Sequence, residues 1–84
     1  MHDLIAAKEI LAQIISQAKK NKLNKVTSAK IELGHIADHG EEITKDNLEF
    51  NLKMLSKNTL AENLALDIRE VKGRDTKLKE IQGE

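Results

Sequence analysis

A histidine stands directly behind Met1 and ahead of Asp3 in the opening MHDL. A free terminal amine, the backbone amide of residue 2 and the imidazole of His2 can close adjacent chelate rings around one metal ion. The amine, with a reference pKa near ~8, and the imidazole, near ~6.5, must first shed their protons. The backbone nitrogen selects the metal. Nickel(II) and copper(II) promote deprotonation of an amide and favour square-planar nitrogen sites, whereas zinc favours tetrahedral sites built from side chains. Position 2 therefore points to nickel or copper.

The other two histidines, His35 and His39, flank Asp38 in GHIADHGEE. A spacing of four suits one helical face, but Gly34 and Gly40 bracket the pair and indicate a loop in which both imidazoles are solvated. Folded toward the amino terminus, such a loop would let them complete or widen the metal site. Ser28, His35 and Asp38 can be assembled on paper into a hydrolytic set. No nucleophile elbow surrounds the serine, however, and the four scattered glycines form no phosphate-cradling loop. The chain is not expected to be an enzyme.

Composition narrows the remaining classes. The 84 residues suffice for one small domain, spanning residues 1–84. Fourteen basic and fourteen acidic residues cancel, so no net field recruits nucleic acid or an anionic membrane. Phe50 is the one aromatic residue, which leaves no stacking platform for single-stranded nucleic acid. With no cysteine there are no disulfides, thiolate nucleophiles or cysteine-based zinc sites. The chain shows no secretory leader pattern and no run near the roughly 20 apolar residues of a membrane span. A cytoplasmic location is expected.

The elements that must position the chemistry follow from periodicity. Over residues 4 to about 20, Leu4, Ala7, Leu11, Ile14 and Ala18 form a helical stripe widened by Ile5, Ile10 and Ile15, with Asp3 expected as the N-cap. In KVTSAKIELG, Thr27, Ala29, Ile31 and Leu33 alternate with polar residues as a strand that buries one face, and Gly34 ends it. A second helix starts at Thr44 as cap, with Ile43 and Leu48 spaced as a hydrophobic staple and Asp46 in the first turn. Leu48, Leu52 and Leu55 form its buried stripe, Phe50 and Met54 flank it, and Asn58 suits a left-handed stop. Leu64, Leu66 and Ile68 alternate in a second strand. VKGRD is expected to turn a hairpin so that TKLKEI returns beside that strand, with a bulge or early end needed to reconcile Leu78 and Ile81. The order α-β-α-β-β predicts an α+β fold, with two helices packed on one face of a three-stranded mixed sheet.

MHDL, KVTSAKIELG and LEFNLKMLSKNTLAENLALDIREV, taken together in this order, resemble the HypA family of hydrogenase maturation nickel metallochaperones. The likeness covers nearly the whole chain. It implies a nickel(II) site made by the terminal amine of Met1, His2, the first backbone nitrogens and Asp3. In some members an acid near the start of the second helix joins them; here Asp46 occupies that place, with Asp38 the alternative because GHIADHGEEI is longer than expected for the family. The resemblance also implies two partners, a nickel-handling GTPase of hydrogenase maturation and the large subunit of the hydrogenase. Two Cys-x-x-Cys pairs of a zinc subdomain would lie between the second and last strands, where this chain has only KGRD. No structural zinc is expected. An alternative role is an adaptor or assembly module that keeps the fold and acts only through protein contacts.

Overall fold

The computed structural model describes residues 2–34, 44–73 and 76–84, with side chains from Leu4 onward. Five elements follow one another: α1 (His2–Lys20), β1 (Val26–Gly34), α2 (Lys45–Leu55), β2 (Ala65–Val71) and β3 (Lys77–Gly83). The two helices pack together, and α1 also rests on β3 and β1 while α2 rests on β2. This is the expected α+β architecture.

α1 buries Ala7, Ile10, Ile14 and Ala18, so its apolar stripe is centred on Ile10, with Leu11 only half-buried and Ile5 exposed. The helix is already regular at His2, which makes Asp3 a first-turn residue and corrects its expected place as N-cap. Its far end closes in a Schellman motif: the Leu23 N–H donates to the Ala18 carbonyl (2.8 Å) and the Lys22 N–H to that of Lys19 (3.1 Å). Lys22 takes the left-handed backbone (φ 59°) usually reserved for glycine. Two lysines in the last turn favour the negative end of the helix dipole.

α2 begins as its residues predict, with the Thr44 hydroxyl accepting from the Asn47 N–H at 3.1 Å. Leu48 and Leu52 are fully buried, Leu55 is half-buried, and Phe50 and Met54 are exposed. Asn58 adopts φ 65°, the left-handed stop expected of it. Ile43, the outer half of the staple, lies outside the described residues.

The strand order is β2-β1-β3. β1 pairs parallel with β2 and antiparallel with β3, so the last strand lies beside the first and not beside the second. This corrects the expected hairpin. The chain leaves β2 at Val71 on one side of β1 and re-enters the sheet at Lys77 on the other. Burial explains the choice: β1 buries Val26, Ala29, Ile31 and Leu33, whereas β3 has no fully buried residue and β2 only Ile68. The most apolar strand takes the centre, and the charge-rich strands take the margins.

Two register shifts interrupt the β1–β3 ladder. Opposite the step from Gly83 to Gln82, β1 advances from Val26 to Ser28; the extra residue, Thr27, is exposed and Val26 is buried in its place. Thr27 was expected to face inward, and the bulge reverses it. Opposite the step from Lys30 to Ile31, β3 spends the extra residue Lys79, which brings both Leu78 and Ile81 against the core. That is the bulge their spacing called for.

Candidate metal centre

The site begins where α1 begins. Because the helix starts at His2, the amides of its first turn have no carbonyl four residues earlier to bind. The amide of residue 2 can therefore lose its proton to a metal without breaking a helical hydrogen bond. The positive pole of α1 favours the resulting amide anion and the Asp3 carboxylate, and opposes a bare dication. These terms offset one another.

Topology sets what lies near this point. The turn after α1 sends β1 back along the helix: Asn24 and Lys25, just past the end of α1, bond to Glu84 at the end of β3, and one groove is lined by α1 residues from Ala12 to Asn21 and β3 residues from Leu78 to Ile81. Ile81 pairs with Ala29 near the start of β1, and Leu78 with Ile31 further along it. The beginning of α1 consequently lies toward the end of β1, at Gly34. α2 must run against the parallel pair β1 and β2 that it connects, so its first turn stands at this same end. Asp46 is exposed in that first turn. His2 and Asp46 thus share one end of the domain, together with Val71, which pairs with Gly34.

Among the described residues, no three His, Cys, Asp or Glu side chains converge on a possible metal position. Met1 and the side chains of His2 and Asp3 lie outside them, as do His35, Asp38 and His39. The open face of the sheet holds opposite charges in alternation, Lys30 with Glu80 (3.7 Å), Glu32 with Lys79 (4.0 Å) and Asp67 with Arg69 (3.7 Å). These carboxylates are committed to cations across a solvated surface and offer no cluster for a metal. Sequence reading did not foresee this ladder, because it depends on which strand takes the centre.

The family described as "Hydrogenase/urease nickel incorporation, metallochaperone, hypA" matches residues 1–76. The chain belongs to the HypA family. The match includes MHDL and ends at the residue before β3. The hydrogenase maturation factor HypA of Legionella pneumophila (strain Lens) is 34% identical over 73 residues, 87% of this chain and 61% of that protein. The factor of the same name from Methanobrevibacter smithii is 34% identical over 71 residues, 84% of this chain and 54% of that protein. This HypA-family chain therefore spans less than two thirds of the length of those relatives. Five residues, 72–76, separate its second and third strands. No described helix is long and apolar enough to cross a membrane.

Proposed function

We propose that this chain is a nickel-handling accessory module that holds one nickel(II) ion at its amino terminus and passes it on during assembly of a nickel enzyme such as a nickel-iron hydrogenase. The observation that carries the reading is a histidine at position 2 of a HypA-family chain, placed where the helix leaves its first amides without acceptors. The terminal amine of Met1, the deprotonated amide of residue 2 and the His2 imidazole supply three nitrogens in one plane, and Asp3 supplies a nearby carboxylate. Asp46 is the side chain that topology allows as an additional acid; His35, Asp38 and His39 are the further candidates.

Transfer follows from the same construction. Binding releases protons from the amine, imidazole and amide, so affinity rises with pH, and a receiving site wins the ion by offering more side-chain ligands. The chain's own groups bind, orient and give up the ion; no bond in a substrate is made or broken, and the role is not enzymatic. The partners in this reading are a nickel-handling GTPase and the hydrogenase large subunit, and the setting is the cytoplasm.

The short 72–76 connection favours a second reading, in which the module acts as an adaptor through protein contacts alone. Calorimetric nickel titration of the chain with its native terminus separates the two. Metal handling predicts one-to-one binding that His2→Ala weakens by at least about tenfold, a loss of ~1.4 kcal/mol or more. Absence of binding by the unsubstituted chain would leave the adaptor reading.

A further inference from the structure

The chain carries no net charge, yet its lysines are unevenly placed. α1 ends in Lys19 and Lys20, the turn that follows adds Lys22 and Lys25, and Lys57 comes just past α2. Topology gathers these at the end of the domain opposite the amino terminus. The Val26 N–H, at the start of β1, donates to the Leu60 carbonyl at 2.8 Å, which sets the segment after α2 beside the turn after α1. All five lysines are exposed.

Other exposed lysines stand against carboxylates, Lys30 against Glu80, Lys79 against Glu32 and Lys53 against Glu49. Among the described residues, none of the five at this end makes an ion pair. Glu62 and Glu84 are the acids that share the end, two against five, and the Glu62 carboxylate accepts from the Asn58 N–H at 3.2 Å. The negative pole of α1 accounts for Lys19 and Lys20 in its last turn. It does not account for Lys22, which holds a left-handed backbone, φ 59°, where glycine would be unstrained. A cation is kept there at a cost in stability, and strain of this kind is tolerated where the residue serves a purpose.

We infer that this lysine-rich end docks an acidic segment of a partner protein and recognises its carboxylates. An ammonium is a point charge that suits a single carboxylate. Among the described residues of this end there is no arginine fork for phosphate and no aromatic face for a base. The zero net charge also supplies no long-range field for a polyanion such as duplex DNA, so the attraction is confined to the patch and acts over a Debye length of about 8–10 Å. Docking here leaves the amino terminus uncovered at the opposite end, which on the nickel reading keeps the ion accessible while the chain is held. The docking itself does not rest on that reading and holds with or without metal.

Fluorescence anisotropy of labelled poly-L-glutamate of roughly 20 residues, titrated with the 84-residue chain in nickel-free buffer at about 25 mM salt, tests this. Saturable binding is expected, weakened by about tenfold or more when salt is raised to about 150 mM. The variant K22E/K25E/K57E should weaken it by at least about tenfold, whereas K8E/K45E/K72E, with the same change in net charge at exposed lysines elsewhere, should stay within about threefold of the original. Circular dichroism verifies that each variant is folded. Lys22→Gly relieves the backbone and removes one cation, so it should weaken binding by about two- to threefold without any loss of stability. Absence of binding at low salt, equal losses in the two triple variants, or unchanged binding by Lys22→Gly would overturn the proposal. Tighter binding to a DNA duplex of roughly 20 base pairs than to poly-L-glutamate would also overturn it, by making the patch a phosphate site.

Discussion

Leu52→Ala tests whether α2 is seated as described and whether the fold stands without metal. Leu52 is 1% exposed and belongs to the single cluster that joins α1, α2 and the sheet. α2 has only 11 residues and two fully buried leucines, Leu48 and Leu52, so it anchors itself through very few side chains. Truncation removes the apolar transfer energy and leaves a cavity, with a combined cost of about 3 kcal/mol within the usual range of roughly 2–5. A domain of this size has a total stability on the order of 4–13 kcal/mol, so the loss is a large fraction of it. The thermal midpoint should fall by about 12–24 °C. Urea unfolding followed by far-ultraviolet circular dichroism measures the change, since a chain with no tryptophan or tyrosine gives little fluorescence. Chelator should leave the unsubstituted transition in place, because the core is made of aliphatic side chains and not of metal ligands. A loss below about 1 kcal/mol would refute the packing of α2. An apo chain that folds only on adding zinc would refute the claim of metal-independent folding.

Two further substitutions probe how the chain turns and closes. Gly83→Ala would drive a Cβ into the Lys25 carbonyl oxygen, where Gly83 pairs with Val26; a loss of about 1–3 kcal/mol is expected by the same urea titration. Lys22→Gly should do the reverse, gaining roughly 0.5–1 kcal/mol, because φ 59° at the end of α1 costs a lysine what it does not cost a glycine. A stability unchanged or lowered by Lys22→Gly would mean that the Schellman closure is misplaced.

Local signals in the sequence predicted local structure. The stripe of α1, the Thr44 cap, the left-handed Asn58 and the bulge demanded by Leu78 and Ile81 are all consequences of neighbouring residues, and all are present. What failed was non-local. The turn residues of VKGRD encode a reversal but not the strand that receives it. The preference of β1 for the centre follows from comparing burial across all three strands. Val26 and Thr27 exchanged faces for a related reason, since a bulge shifts the alternation and the period of two alone carries no sign of it. At the proposed metal site, residue types and the resemblance pointed to His2 and its neighbours. The start of α1 at His2 added the availability of the amide, which no motif expresses. Asp46 joined the same end of the domain through the crossover between parallel strands, again a property of topology.

The central claim is that nickel is held by a chelate that includes the terminal amine and the first backbone nitrogen, and not by His2 as an isolated side chain. Nickel titration of the chain with a free Met1 amine, followed by visible absorption and circular dichroism, compared with the same chain acetylated at Met1, tests it most directly. The account predicts a square-planar absorption band that forms at one equivalent with the free amine. Acetylation should abolish that band and weaken binding by about as much as His2→Ala does, tenfold or more. Equal affinity and equal spectra for the free and acetylated chains would contradict it.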